Sequence, residues 1–222
     1  MLTIGIPLVG DLPQECVTDL IVAAAQAGKL SERISVICPQ NIFPHDRARE
    51  LIMTEALKMG SDYLWFIDAD TRPPEGALEK MLAVLHETKC AMVSGYYVQR
   101  GYPFVSTWSK VRKDKVQDGM VVIEETEVAP KIDSCGLGCA LIGLKWVREN
   151  LVPPYFLMHP DPDLPTMFRW EDAFFCNKIK EAGGAIYGTT EVCCIHMGRR
   201  GELTPETAGR LREHIDRGQR NG

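Results

Sequence analysis

The stretch from Tyr63 to Pro74 reads YLWFIDADTRPP, an apolar run that ends in two aspartates, Asp68 and Asp70. An apolar run of this length, bounded by a polar turn, predicts a strand that is buried on both faces. Such a strand belongs in the middle of a sheet that is covered by helices. The two carboxylates then lie at its carboxyl end, where open α/β sheets bind their ligands.

The segments around this strand alternate between strand and helix patterns. Before it, LTIGIPLVG and RISVICPQ predict strands, and each is followed by apolar residues at helical spacing, in PQECVTDLIVAAAQAG and HDRARELIMTEALKMG. After it come a third helix, PPEGALEKMLAVLHET, and a fourth strand, AMVSGYY. This alternation predicts an α/β fold with a mainly parallel central sheet.

The pattern loosens after Gly101. FVSTWSK, VVIEETEVA and ALIGL have strand character with polar breaks between them, which predicts a mixed C-terminal part with antiparallel pairing. The segment from Leu151 to Pro165 has five prolines in fifteen residues, which predicts a surface loop that covers a site. WEDAFFCNKIKEAGG returns to a helical pattern, and the acidic and basic residues interleaved after Arg199 predict a solvated C-terminal helix.

Composition excludes several classes of protein. The chain has 222 residues and a formal net charge of -5, which argues against a nucleic-acid binder, since such proteins need surplus positive charge. Its eight cysteines include no CxxC pair, so zinc-finger spacing is absent and a reducing cytoplasm is favoured over secretion. We expect neither a signal peptide nor a transmembrane segment, and therefore a cytoplasmic protein, while contact with a membrane surface stays open.

The residues alone leave three interpretations of Asp68 and Asp70. In the first, Asp68 caps the following helix and Asp70 starts a turn. In the second, WFIDADT is the motif of a haloacid-dehalogenase-like phosphatase, with Asp68 as nucleophile, although such enzymes carry it on their first strand. In the third, both carboxylates point the same way at positions i and i+2 of an extended strand and bind Mg²⁺ or Mn²⁺.

The order of motifs resembles the family 2 type of GT-A glycosyltransferases. IGIPLVG, the stretch from DRAREL to ALEKML, VSGYYVQRG, DSCGLGCALIGLKWV and RWEDAFFCNKIKEAGG follow one another as in that family, from about Leu2 to His196. The resemblance implies a single glycosyltransferase domain over residues 1–222, with a nucleotide-binding half at 1–100, an acceptor and catalytic half at 101–198 and a tail helix at 199–222. It implies transfer of a sugar from a UDP- or GDP-sugar to an acceptor hydroxyl.

The resemblance also assigns residues. Asp70, with Asp68 and His196, holds Mn²⁺ or Mg²⁺. Asp172 takes the proton from the acceptor hydroxyl, and Glu171 orients the acceptor or the base. This assignment implies inversion at the anomeric carbon. The residues implied to contact the nucleotide-sugar donor are Pro7, Leu8, Val9, Arg47, Arg49, Asp68, Ala69 and Asp70. Those implied to contact the sugar or the acceptor are Gly95, Tyr96, Gly136, Gly138 and Trp170. Many family members read uracil with an aspartate after the second strand, where CPQN stands here, so the base stays open.

Structural roles compete with these assignments. Glu171 and Asp172 also suit a helix start, where carboxylates compensate the dipole. Trp170 and His196 also suit core positions, and the arginine pair in HDRARE also suits surface ion pairs. Binding of a nucleotide sugar without catalysis is a further alternative. No motif indicates the donor sugar, the acceptor or the oligomeric state.

Overall fold

The structure is a computed structural model that describes residues 1–8, 14–101, 104–110, 128–160, 168–198 and 201–220. Within these residues, no helix has the length and apolar character needed to cross a membrane. The elements in chain order are β1 (Leu2–Gly5), α1 (Gln14–Leu30), β2 (Ile34–Ile37), α2 (His45–Lys58), β3 (Tyr63–Ile67), β4 (Thr71–Arg72), α3 (Ala77–Thr88), β5 (Met92–Tyr96), β6 (Lys131–Ile132), β7 (Cys139–Gly143), α4 (Leu144–Asn150), β8 (His159–Pro160), β9 (Phe168–Arg169), α5 (Glu171–Glu181), β10 (Ile186–Cys193), β11 (Ile195–Gly198), β12 (Gly201–Leu203) and α6 (Pro205–Arg220).

The central sheet has seven strands in the order β2-β1-β3-β7-β5-β10-β6. The pairs of β1 with β2, β1 with β3 and β5 with β10 are parallel. Strand β7 runs antiparallel between β3 and β5, and β6 runs antiparallel at the edge. The prediction of an α/β fold with a mainly parallel sheet and a mixed C-terminal part is confirmed. Because β7 inserts into the middle, both halves of the chain share one sheet.

Strand β3 is the buried strand that the opening motif predicts. Leu64 and Phe66 pack in one hydrophobic cluster, while Trp65 and Ile67 pack in the cluster on the opposite face of the sheet. All four are fully buried, and burial of each such side chain contributes about 1.5–3 kcal/mol. The strand ends at Ile67, so the aspartates that follow lie where the buried core gives way to the rim of the sheet.

Helix α2 presents an unusual buried stripe to the sheet. Ala48, Ile52, Met53 and Ala56 are fully buried, as expected for the apolar face of an amphipathic helix. Arg49 lies in the same stripe and is only 4% exposed. A buried arginine requires acidic partners, and these come from other elements of the fold.

The segment FVSTWSK forms isolated bridges instead of a strand. Ser106 pairs with Val98 and Ser109 pairs with Ser134, and Trp108 between them is fully buried. The Trp108 indole N–H donates to Ser94 Oγ at 3.2 Å. The Trp108 side chain therefore helps to anchor this segment, for which the sequence predicted a hydrogen-bonded strand. Most of VVIEETEVA lies outside the described residues.

The first part of the proline-rich loop is tied to two helices. Glu50 Oε2 on α2 accepts the backbone N–H groups of Tyr155 and Phe156 at 2.7 and 2.8 Å. Lys178 Nζ on α5 donates to the carbonyl oxygen of Pro154 at 2.6 Å. The described part of this loop is therefore fixed to α2 and α5. Residues 161–167 lie outside the described residues, and that the loop covers a site stays a prediction.

We expect Glu50→Ala to lower the free energy of unfolding by about 2–3 kcal/mol, because it strands two partly buried N–H donors. Denaturant unfolding measures this loss, and hydrogen exchange at Tyr155 and Phe156 locates it. Glu55→Ala is the matched control on the same helix, since Glu55 pairs only with the exposed Lys58. Equal losses in the two variants would contradict the assigned role of Glu50.

Candidate active site

The aspartate motif forms a turn at the end of β3. Asp68 donates its backbone N–H to Gly138 at 2.9 Å, and its carbonyl accepts the N–H of Thr71 at 3.0 Å. Ala69 and Asp70 therefore lie in a turn that leads into β4, one of the two arrangements that the sequence left open. As a result, the carboxylates of Asp68 and Asp70 contact different neighbours.

Asp68 is held by the buried Arg49. The Arg49 Nη2 atom donates to both carboxylate oxygens of Asp68, at 2.9 and 3.0 Å, and Nε donates to Glu171 Oε1 at 3.2 Å. The guanidinium carbon also lies 5.1 Å from the centre of the Phe66 ring. Arg49 thus joins the end of β3 to the start of α5, and its partner Glu171 lies 122 positions further along the chain.

The charge of Arg49 is secured by these partners. Burial on its own lowers the pKa of Arg49, but the carboxylates of Asp68 and Glu171 outweigh it and the net shift is upward. The guanidinium is therefore a permanent cation between two carboxylates. Its Nη1 atom has no hydrogen-bond partner within the described residues.

Asp70 faces two other side chains. Its Oδ1 lies 3.5 Å from His196 Nε2, and its Oδ2 lies 2.8 Å from Arg100 Nη1. Burial raises the pKa of Asp70, but the hydrogen bond and charge of His196 and the charge of Arg100 lower it to a net value below the ordinary one. Strand β11, which carries His196, pairs antiparallel with β4 directly after the aspartate turn.

The ring of His196 is oriented by the backbone. Its Nδ1 lies 2.8 Å from the carbonyl oxygen of Val98. A carbonyl can only accept, so Nδ1 of His196 donates to Val98, and Nε2 faces Asp70. Nε2 can therefore donate a proton to Asp70 or bind a metal ion beside it. The pattern is that of a metal-binding histidine fixed by a second hydrogen bond.

Asp70 and His196 fit a hard divalent cation, although they do not complete its coordination. Within the described parts of the chain, no three His, Cys, Asp or Glu side chains converge on one metal position. Mg²⁺ and Mn²⁺ are commonly bound through one or two protein ligands, with phosphate oxygens and water in the other positions. This donor set therefore suits a metal that arrives with a phosphorylated ligand.

Asp172 is the carboxyl group with the most perturbed acidity. Burial raises its pKa to about 6, and the neighbouring charge of Glu171 adds to the shift, while the N–H of Ala173 and the charge of Arg49 oppose it. The Ala173 N–H lies 2.6 Å from Asp172 Oδ1. Glu171 forms an ion pair with Arg49, whereas Asp172 has a pKa suited to a general base near neutral pH.

Tyr97 is a central residue that the sequence motifs do not reveal. It is 4% exposed, its hydroxyl oxygen accepts the Gly138 N–H at 2.7 Å, and its ring meets the His196 ring edge-on at 5.5 Å. Burial raises its pKa well above the ordinary value, so it stays protonated. A Cβ on Gly138 would lie 2.9 Å from the Tyr97 hydroxyl and the Thr71 hydroxyl, so glycine permits this close packing.

The structure brings several predicted residues together at one edge of the sheet. Asp68, after β3, and Glu171, at the start of α5, share Arg49, and Asp172 follows Glu171. Asp70, in the aspartate turn, faces His196 on β11. Trp170 stands at the start of α5 and is 59% exposed. Ala69 lies in the aspartate turn.

Other predicted residues have packing roles or lie apart. Tyr96 packs edge-to-face against the buried Trp108, with ring centres 5.0 Å apart. Gly95 is packed closely, since a Cβ there would lie 3.0 Å from Val192. Pro7 and Leu8 are buried at the end of β1, and Gly136 packs against the Tyr97 ring. Arg47 is exposed on α2, and Val9 lies outside the described residues.

The mixed central sheet, with helices between its strands, is consistent with a GT-A fold. Residues 39–148 match the model of the family described as "Glycosyl transferase family 2". The motif order predicted a resemblance to this family, and the match over residues 39–148 confirms that resemblance. No functionally curated protein matches it.

A solved structure shares the fold. A197 from STIV is similar over 92% of this chain and 90% of its own, with a TM-score of 0.66 and 20% identity. S. aureus TarS is similar over 86% of this chain, with a TM-score of 0.49 and 11% identity. A structure of TarS residues 1–349 in complex with UDP-GlcNAc has the same coverage of this chain, a TM-score of 0.49 and 13% identity. This chain spans 35% and 56% of those two TarS chains.

Proposed function

We propose that the protein is a metal-dependent, inverting glycosyltransferase that moves a sugar from a UDP- or GDP-sugar to an acceptor hydroxyl. The observation that carries the proposal is the convergence of Asp70 with His196, and of Asp68 with Glu171 through Arg49, at the carboxyl end of β3. This is the position at which an open α/β sheet binds a ligand. Asp172 stands beside Glu171 at the same edge.

Asp70 and His196 would hold Mn²⁺ or Mg²⁺, and Asp68 would complete the acidic surface around it. When bound, the metal supplies Lewis-acid stabilisation of the diphosphate leaving group. Arg49 fixes Asp68 in one orientation by donating to both of its oxygens, each of which keeps a lone pair for a further contact. The chain's own contribution is thus a preorganised set of oxygen and nitrogen donors.

The donor nucleotide would lie along the loop after β1 and the start of α2. Pro7, Leu8 and Val9 are proposed to contact the base and ribose. Leu8 forms a parallel bridge with Gln40 there, which brings the loops after β1 and β2 together. The remaining proposed donor contacts, beside the aspartate motif and nearer the diphosphate, are Arg47, Arg49 and Ala69.

Asp172 would act as the general base. It removes the proton from the acceptor hydroxyl as the acceptor oxygen forms its bond to the anomeric carbon and the bond to the diphosphate breaks. A single displacement of this kind inverts the anomeric carbon. Glu171, held by Arg49, would position the start of α5 and the acceptor. The exposed Trp170 offers an aromatic face to a sugar beside Asp172. The other proposed contacts of the sugar or the acceptor are Gly95, Tyr96, Gly136 and Gly138.

The phosphatase alternative requires Asp68 to attack phosphorus. Both carboxylate oxygens of Asp68 instead accept hydrogen bonds from the cationic Arg49, which lowers their nucleophilicity. The aspartate turn also follows the third strand of the chain, whereas the phosphatase motif follows the first. A protein that only binds nucleotide sugars would bind the donor but transfer its sugar to no acceptor, so an assay of sugar transfer distinguishes this alternative from the enzyme. A cytoplasmic location remains a prediction, with which the free cysteines in the described parts of the chain agree.

We expect wild-type protein to bind UDP or GDP in the presence of Mn²⁺, and His196→Ala to weaken that binding at least about tenfold, because the variant removes a metal ligand. Isothermal titration measures both affinities. His86→Ala is the control, since His86 contacts Tyr63 at 2.8 Å, at the opposite end of β3 from the aspartates. If wild-type protein binds neither nucleotide with Mn²⁺, the proposed function fails.

A further inference from the structure

Asp70 is already ion-paired with a residue that the motifs do not assign. The Arg100 Nη1 atom lies 2.8 Å from Asp70 Oδ2, while Asp70 Oδ1 faces His196 Nε2 at 3.5 Å. Arg100 therefore occupies one of the two oxygens through which Asp70 would bind a metal. A guanidinium therefore stands beside the proposed place of the divalent cation.

Arg100 differs from the other arginine of the site in its freedom to move. Arg49 is 5% exposed at its side chain and is committed to Asp68 and Glu171, whereas the Arg100 side chain is 55% exposed. Gly101 follows it directly, in the segment between β5 and the Ser106 bridge. Arg100 can therefore leave Asp70 without disturbing the packed core.

We propose that Arg100 is an exchangeable counterion of the metal site and a ligand of the donor diphosphate. A divalent cation bound to Asp70 repels the adjacent guanidinium and displaces it. A diphosphate that binds the same cation brings negative oxygens within reach of Arg100, and guanidinium groups bind phosphate oxygens in strong charge-assisted hydrogen bonds. This inference rests on the proposed function, since it assumes that metal and donor meet at Asp70.

The exchange has a thermodynamic signature in two binding reactions. Without a nucleotide, Mn²⁺ must displace Arg100, so removal of Arg100 strengthens the binding of Mn²⁺ alone. With Mn²⁺ bound, the nucleotide gains a hydrogen bond to Arg100, so removal of Arg100 weakens nucleotide binding. A solvent-exposed ion pair without function would change neither affinity. A structural role would weaken both, because the site itself would be distorted.

The test is Arg100→Met, which keeps the length and apolar stem of the side chain. Electron paramagnetic resonance of free Mn²⁺ gives the affinity for the metal alone, and titration with UDP or GDP in saturating Mn²⁺ gives the affinity for the nucleotide. We expect the first to rise severalfold and the second to fall by about 10- to 100-fold, the worth of hydrogen bonds to a charged group. Arg100→Lys should restore most of the wild-type behaviour in both.

Arg210→Met is the matched control, because Arg210 pairs with Glu206 at 2.8 Å on the exposed face of α6. Unchanged affinities in Arg100→Met, or a fall in both, would overturn the inference while the proposed function stands, provided that the wild-type protein binds the nucleotide with Mn²⁺. If wild-type protein shows no such binding, the proposed function fails and the inference fails with it.

Discussion

Asp172→Asn is expected to lower the rate of donor cleavage by roughly 10²–10⁴-fold, the usual contribution of a general base. An amide cannot accept the acceptor proton, but it retains the size and polarity of the carboxyl group, so donor affinity stays near that of the wild type. The measured quantity is the release of UDP or GDP as the sugar is transferred to water or to an acceptor. Glu79→Gln, at an exposed position in the first turn of α3, is the control.

The pH profile follows from the raised pKa of Asp172, about 6. A base acts only when ionised, so the rate rises with pH through about 6 and levels off above it, and the Asn variant lacks this inflection. Asp172 is also predicted to compromise stability, because its pKa is higher in the folded than in the unfolded chain. The fold binds the extra proton at low pH and loses stability as pH rises from the ordinary aspartate value through about 6.

Asp172→Asn should therefore stabilise the protein at pH 8 by about 1–3 kcal/mol and have no such effect near pH 4. Denaturant unfolding at the two pH values measures this difference. A loss of stability, together with a loss of donor binding, would show that Asp172 is a structural residue. The opposite signs of the effects on rate and stability separate a catalytic role from a structural one.

Arg49→Met is expected to lower the free energy of unfolding by about 3–5 kcal/mol, the cost of breaking a buried ion pair from one side. The variant leaves the carboxylates of Asp68 and Glu171 without their shared cation in a buried setting. For a chain of this length, the loss corresponds to a fall in melting temperature of about 10 °C. The melting temperature and denaturant unfolding both measure the loss.

Two further variants distinguish the effect of breaking the buried ion pair from the effect of replacing a long basic side chain. Arg47→Met lies on the same helix but is exposed, so its stability should stay within about 0.5 kcal/mol of the wild type. Adding Glu171→Gln to Arg49→Met should restore part of the stability, because it removes one stranded charge. Equal losses for Arg47→Met and Arg49→Met would contradict the assigned bridge.

The strand pattern and the aspartate motif could be predicted from the sequence because both are local. Five apolar residues before Asp68 suffice to place it at the end of a buried strand, and the helical pattern after Trp170 places Asp172 in a first turn. The family resemblance added His196, and the structure places it opposite Asp70. These signals depend on the character and order of short segments.

The contacts that assemble the site are long-range, and no local pattern reports them. Arg49 looks like an ordinary charged residue in HDRARE, yet it meets a partner 122 positions away in Glu171. Tyr97 is positioned by contacts with Gly138, directly before β7, and with His196 on β11, both of which come later in the chain. The sequence left open whether Asp70 lies in a turn or on an extended strand, because an apolar strand pattern does not mark the residue at which the extended backbone ends.

Thermal unfolding with a panel of nucleotide sugars, each with Mn²⁺ and with a chelator, tests the central claim most directly. A donor that binds through a metal at Asp70 and His196 stabilises the folded state by mass action, so the account predicts a rise in melting temperature for a UDP- or GDP-sugar with Mn²⁺. The rise should be lost with the chelator and in His196→Ala. No shift with any nucleotide sugar, or the same shift with and without metal, would contradict the account.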